Sequence, residues 1–302
     1  MSTQKVSVVD ESRRPSFTIV MLAWPVFIEQ ILVSLVSYVD TAMVGSMGAN
    51  ATAAVSISNS PNMLVNGTIM AIGVGFTAMI SRSIGAEDLQ RAKDLMRQAL
   101  LVVVALGLPL MCLLLLLAEK IPLWMGAQAE ILPDAAVYNR IIAASLIFRT
   151  MSMIITSIMR GYGDTKTPMF VNIGVNIVNV IGNFLLIYPT RAISLFGMEF
   201  TMIGAGWGVA GAAAATSGSA TIGALIMLAV LFLKKGPMQL SIKGEYMPDW
   251  AILKTVFRIS LPAAFERIAM SSAGIITTST VATLGTVAVA ANSLYLTAES
   301  MC

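Results

Sequence analysis

Long apolar runs separated by short polar turns dominate this chain. Taking about 20 or more residues per span, the runs predict membrane helices at 17–45, 50–81, 92–118, 133–160, 168–190, 204–233 and 250–282. An eighth begins near Thr286 and is unfinished at Cys302. Within the first run, Trp24 to Gly48 reads WPVFIEQILVSLVSYVDTAMVGSMG, so Pro25, Glu29 and Asp40 interrupt apolar sequence. This pattern returns late in the chain. Setting Pro25 on Pro262 puts Glu29 on Glu266 without a gap, and Ser34, Thr41, Val44 and Gly48 then fall on Ser271, Thr278, Val281 and Gly285. Asp40 falls on Thr277, so the copies differ at one charge.

The repeat predicts an all-α integral membrane protein: a six-helix N-terminal bundle plus the start of a pseudo-symmetric second bundle, related by an axis along the membrane normal. Residues 1–16 form an N-terminal segment, 17–233 an N-lobe, 234–249 (KKGPMQLSIKGEYMPD) a polar linker, and 250–302 the start of a C-lobe. In the repeat register Cys302 corresponds to Val65, midway along the second helix. A terminal carboxylate in a bilayer core is costly. The sequence is therefore expected to be truncated.

Composition agrees with this picture: 57% of residues are hydrophobic and 12% charged, against about 25% charged in a soluble domain. Met1–Pro15 is polar, and the apolar run after it is too long for a cleavable signal. A net charge of +3 is too small to suggest nucleic acid, and Cys112 and Cys302 make no disulfide framework. Histidine is absent, which removes the commonest metal ligand. No metal or organic cofactor is expected.

Basic residues are placed unevenly. Lys5, Arg13 and Arg14 precede the first helix; Arg82, Arg91, Lys93 and Arg97 surround the second turn; Arg160 and Lys166 the fourth; and Lys234, Lys235, Lys243, Lys254 and Arg258 the sixth. The intervening turns hold only Lys120, Arg140 and Arg191. By the positive-inside rule the N-terminus is cytoplasmic.

Several residues are candidates for chemistry. Asp40 has no neighbouring cation in sequence. It is either a carboxylate facing a cavity, able to carry a proton or bind sodium, or a helix end wetted by headgroups. Glu29 and Arg149 lie at matching depths, about 18 and 16 Å from the basic end, and are expected to pair across two helices. Glu266 has only Arg267 beside it, and adjacent helical residues point about 100° apart, so Glu266 is freer to bind a cation. Asn172, Asn176, Asn179 and Asn183 recur at spacings of three or four and share one helix face. They are expected to form a polar cavity wall, with interhelical glue the alternative. The G-x-G-x-x-G within Gly204–Gly211 follows no strand and is read as helix packing, not a nucleotide site. The 21 methionines suit either core filling or a cavity accepting several ligands.

Together these residues resemble the multidrug and toxic compound extrusion (MATE) transporters. The resemblance rests on Trp24-Pro25 through Asp40 with the following V-G-x-x-G-A, S-x-x-I-G-A at Ser81–Ala86, R-G-Y-G-D-T-K-T-P at Arg160–Pro168, the asparagine-rich helix, and G-A-A-A-A-T ending at Thr216. It implies two six-helix bundles and export of cationic or amphipathic small molecules in exchange for protons or sodium, by a monomer in a bacterial inner membrane. It further implies that Pro25 is the bending point of the first helix. Asp40, Asn179, Asn183 and Thr216 would line an N-lobe cation site, and Glu266 would belong to a C-lobe site. Some members carry aspartate where this chain has Asn183. A lipid-linked oligosaccharide flippase of the same superfamily is the nearest rival, but its cavity would be expected to carry several basic residues. A membrane-embedded transferase would need paired acidic residues for magnesium, and no predicted span holds a D-x-x-D or D-x-x-x-D pair.

Overall fold

The computed structural model describes residues 15–195, 198–234, 239–241 and 246–299. The N-terminal cations Lys5, Arg13 and Arg14, the linker residues Lys235 and Lys243, and Cys302 lie outside them. Ten helices and one hairpin are described: α1 (Pro15–Gly45), α2 (Ala49–Gly85), α3 (Leu89–Leu117), α4 (Lys120–Trp124), α5 (Leu132–Ala144), α6 (Leu146–Gly161), α7 (Lys166–Ile187), β1 (Pro189–Leu195), β2 (Met198–Ala205), α8 (Gly208–Leu233), α9 (Trp250–Ala282) and α10 (Thr286–Glu299). Helix bounds follow the apolar runs to within about one turn. Five helices, α1, α2, α3, α7 and α8, are long and apolar enough to cross a membrane, and α5 with α6 makes a sixth span bent by 49°. The 33-residue α9 is long enough, but Lys254, Arg258, Glu266 and Arg267 dilute its hydropathy and it is not among them.

Two departures from the expected helices have local causes. The span expected as continuous over 133–160 breaks at Ser145, whose hydroxyl lies within hydrogen-bond distance of the Ile142 carbonyl, at 2.9 Å, and of the Ser217 hydroxyl on α8, at 3.0 Å. A serine that bonds back to its own turn and to a neighbouring helix interrupts the helical ladder. The turn expected between 190 and 204 is instead an antiparallel hairpin, with Pro189 opposite Ala205 and Ser194 opposite Glu199, so a strand does lead into the glycine run, with Gly204 in β2 and only Gly208 and Gly211 in α8. Thr190 ties its base, donating to the Gly204 carbonyl at 3.2 Å and accepting from the Gly204 amide at 3.1 Å.

Side-chain caps start two helices. Asp88 accepts from the Arg91 amide at the head of α3, and Asp249 from the Ala251 and Ile252 amides at the head of α9. Gly48 and Gly285, matched by the repeat, both take a positive φ, 106° and 109°, in the turns before α2 and α10. The same left-handed turn thus follows both copies of the repeated helix.

The main core joins α2, α3 and α6, with Phe76, Leu95, Met96, Ile154, Ile155 and Ile158 fully buried. It extends to the basic end of α9 through Ile252 and Val256. α9 runs along α2, where a Cβ at Gly75 would strike Ser260 and the Val256 carbonyl. Likewise a Cβ at Gly211 would overlap the Leu186 backbone, which brings α8 close to α7. The described part of the linker is tied down. Leu240 is buried in the main core, and Gln98 of α3 donates to the Met247 carbonyl at 2.6 Å and accepts from the Asp249 amide at 3.0 Å.

Asp164 closes the turn between α6 and α7. It accepts from the Thr167 amide and hydroxyl at 2.9 and 2.6 Å, and from Lys234 at 2.6 Å. Burial pushes its carboxyl up, but the hydrogen bonds from Lys234 and Thr167 together outweigh burial and hold it below the usual carboxylate range. A depressed folded-state pKa contributes stability that is present above the unfolded pKa and lost as pH falls through the folded one. Asp164→Asn is therefore expected to lower the melting temperature in detergent at pH 7, and the gap from wild type should narrow only as pH falls below about 4. A gap independent of pH would contradict this.

Candidate functional site

Asp40 lies in the last turns of α1, eleven residues beyond Glu29 and five before Gly45 ends the helix. The helix is apolar on both sides of it and its exposed faces carry Phe27, Ile31 and Leu35. α7 is the main neighbour of α1 and brings its asparagines to the carboxylate. Asn183 Nδ2 donates to Asp40 Oδ1 at 2.6 Å. The Asn179 amide fits in two orientations. In one, its Nδ2 donates to Thr216 Oγ1 of α8 at 3.3 Å. In the other, its nitrogen donates to both Asp40 oxygens at 3.0 and 3.2 Å while its oxygen accepts from Thr216 at 3.3 Å. The second gives both Asp40 oxygens a donor and replaces only a long 3.4 Å contact from Asn183 Nδ2 to Asn179 Oδ1, so it is the favoured one. Asn183 Oδ1 is buried with no partner. The site thus joins one carboxylate, two amides and a hydroxyl on three helices, with an acceptor left over for a cation.

Asp40, Asn183 and Thr216 face a cavity of about 670 Å³. Its opposite wall comes from α9 and α10 and includes Arg267, Thr278 and Thr297. Hydroxyl contacts cross the cavity edge. Tyr38 Oη donates to the Thr297 carbonyl at 2.5 Å, and Ser60 Oγ to Thr278 Oγ1 at 3.0 Å. On the N-terminal side Tyr138 Oη donates to Asn59 Oδ1 at 3.2 Å. The cavity therefore offers one negative group, one positive group and many neutral polar ones among apolar side chains such as Met63, Met270 and Leu296.

Asp40, Asn179, Asn183 and Thr216 stand together. Pro25 is buried inside α1, without a break in the helix. Glu266 is exposed on α9 and, among the described residues, stands outside the cavity lining. The expected Glu29–Arg149 pair does not form. Glu29 is buried and its Oε2 accepts from Arg160 Nη2 at 2.8 Å, while its Oε1 accepts from Asn172 Nδ2 at 2.6 Å. Arg149 has no ion pair among the described residues, and Tyr138 is its electrostatic neighbour. The helix ends are not level: Glu29, fourteen residues into α1, meets Arg160 in the last turn of α6, so the start of α1 projects beyond the end of α6. The four-asparagine wall is corrected too. Of the stripe only Asn183 lines the cavity; Asn172 serves Glu29, and Asn176 Nδ2 is buried without a partner.

Sequence reasoning missed Arg160 and Asn172 as the partners of Glu29, and it missed Tyr138 and Asn59. Thr52, Ser56, Asn59 and Ser60 recur at helical spacing along α2, a polar stripe that could have marked the cavity.

The MatE family model matches residues 25–185. The chain is 29% identical over 270 residues to a Bacillus subtilis protein described as "Uncharacterized transporter YisQ", covering 89% of this chain and 57% of that one. It is 28% identical over 283 residues to "Probable multidrug resistance protein NorM" of Thermotoga maritima, covering 94% of this chain and 58% of that one. Among solved structures, one titled "Crystal structure of MATE in complex with MaD3S" is similar with a TM-score of 0.80 and 26% identity, covering 96% of this chain and 62% of that one. An "Inward-facing conformation of a multidrug resistance MATE family transporter of the MOP superfamily" is similar with a TM-score of 0.74 and 25% identity, covering 87% and 56%. The chain spans a little over half the length of these curated relatives.

Proposed function

This chain belongs to the MatE family, and we propose that it forms the N-lobe and the beginning of the C-lobe of a secondary active multidrug efflux transporter. The observation that carries the reading is Asp40: a carboxylate inside an apolar helix, held by Asn179 and Asn183, on the wall of a cavity large enough for a drug-sized molecule. Charged Asp40 attracts a cationic or amphipathic compound; a proton or sodium ion on the same carboxylate cancels that attraction. The two compete for one charge, which is the basis of antiport. Transport in one direction further requires that the ion-bound and drug-bound states favour different openings of the cavity. α1 can supply the difference by bending at Pro25, where one backbone hydrogen bond is missing.

The same reading places the basic end of the helices, with Arg82, Arg91, Lys93, Arg97 and Lys166, on the cytoplasmic side of a cell membrane, by the positive-inside rule. It makes 17–233 and 250–302 parts of two lobes that meet at the cavity. Glu266 is assigned to a second cation site on the C-lobe. A flippase for a pyrophosphate-linked lipid is disfavoured, because among the described lining residues only Arg267 is basic.

Ethidium efflux from proteoliposomes of the intact protein tests the reading. Efflux is expected under an imposed proton or sodium gradient and not without one. A response to only one ion identifies the coupling ion, and efflux indifferent to both would refute antiport.

A further inference from the structure

Two carboxylates on α1 meet two asparagines on α7 at the same offset. Glu29 bonds Asn172 and Asp40 bonds Asn183, each pair 143 residues apart in sequence. The equal offset means that the two helices run in the same direction. The bonds lie three turns apart, about 16 Å along each axis. An eleven-residue period is close to three whole turns, so both bonds fall on nearly one face.

The amides define how α1 sits on α7 only through both carboxylates at once; the Glu29 rung taken by itself is ambiguous. Asn172, Asn176, Asn179 and Asn183 follow one another at spacings of four, three and four. If α1 slid by one turn, Glu29 would meet Asn176, whose Nδ2 is buried and unbonded. Asp40 would then pass beyond Asn183 to the level of Ile187. What marks the native rung at Glu29 itself is Arg160, at the end of α6, which binds Glu29 beside Asn172. Buried polar groups are best attested as devices for register.

We propose that Glu29, held by Arg160 and Asn172, is the positioning residue that sets the register of α1 on α7, so that Asp40 arrives at Asn183 and Asn179. It acts on the site through Asp40 and does not touch the cavity. Its place near Pro25 suits this task. Glu29 is four residues past the proline, about 6 Å, whereas Asp40 is fifteen residues past it, about 22 Å. A bend of about 20° at Pro25 moves Glu29 by about 2 Å and Asp40 by about 8 Å. The pin stays near the pivot while the far end swings, and the arm returns to the same rung. The consequence for Asp40 rests on the antiport reading; the register itself does not.

Disulfide cross-linking in membranes holding the intact protein reads the register directly. With Cys112, Cys302 and any further native cysteine replaced by serine, Val33→Cys is paired with Asn176→Cys, at the native offset, or with Val180→Cys, one turn away. The native pair should bridge at least about tenfold faster. Glu29→Gln should cut that preference to within about threefold, and the exchanged pair Glu29→Arg with Arg160→Glu should restore it, because Asn172 can turn its amide to serve either partner. A preference unchanged in Glu29→Gln, or an exchanged pair no better than Glu29→Gln, overturns the proposal. Should Glu29→Gln fail to reach the membrane, the exchanged pair decides alone: a native-like preference supports the pin and its loss refutes it. None of these readings depends on transport, so an error in the antiport reading would show in efflux and leave this result standing.

Discussion

Asp40→Asn is expected to abolish cation-coupled ethidium efflux while leaving folding and membrane insertion intact. Asparagine has nearly the same shape, and its oxygen can still accept from Asn183 or Asn179, so the packing of α1 on α7 survives. What disappears is the charge. Removing one partner of a desolvated charge pair costs about 2–5 kcal/mol, a factor of about thirty or more in affinity for a cationic compound. The cation loses its carboxylate at the same time, so residual movement of drug should no longer respond to the imposed gradient. The repeat provides no substitute at the equivalent position, because Asp40 corresponds to Thr277. The test is initial efflux rate from proteoliposomes against gradient size, with protein amount and melting temperature measured alongside. Normal coupled efflux by the variant would end the role given to Asp40 and move it to Glu266.

Much of this site was legible from residue type and spacing. A carboxylate in an apolar helix is costly, so Asp40 drew attention without any partner in view. The asparagine spacing put four amides on one face, and the structure confirms a shared face on α7 in the way Asn172 and Asn183 both reach α1. Gly48 and Gly285, aligned by the repeat register, share a positive φ in equivalent turns.

Other features were not legible, for physical reasons that differ. Periodicity shows which residues share a face but not which neighbour that face meets, so the stripe could not be divided between Glu29 and Asp40. Depth along a membrane normal requires knowing where each helix begins relative to the others, and that is a tertiary property. The error of pairing Glu29 with Arg149 comes from this. The break at Ser145 depends on Ser217, 72 residues away, and no local signal announces it. The hairpin at Pro189–Ala205 is short and lies between two strong helices, where an apolar run is easily absorbed into its neighbours.

Arg160→Met should destabilise the protein more than Arg149→Met. Glu29 is buried, with its side chain 9% exposed, and Arg160 is 30% exposed. Stranding one member of a fully buried pair costs about 3–5 kcal/mol, and the partial exposure of Arg160 lowers this to about 2–4 kcal/mol. Losing Glu29 instead should cost less, because the arginine can extend toward the nearby basic end and hydrate its guanidinium. Glu29→Gln with Arg160→Met should recover much of the loss, a coupling of about 1–3 kcal/mol in a double-mutant cycle. The parallel cycle with Arg149→Met should be additive with Glu29→Gln, since the two residues do not touch. Arg149→Met alone should be close to neutral, because it removes a cation that has no ion pair among the described residues. Thermal unfolding of the six proteins in detergent separates the two pairings. Additivity in the Arg160 cycle together with coupling in the Arg149 cycle would mean that α1 is pinned to the middle of α6 and not to its end.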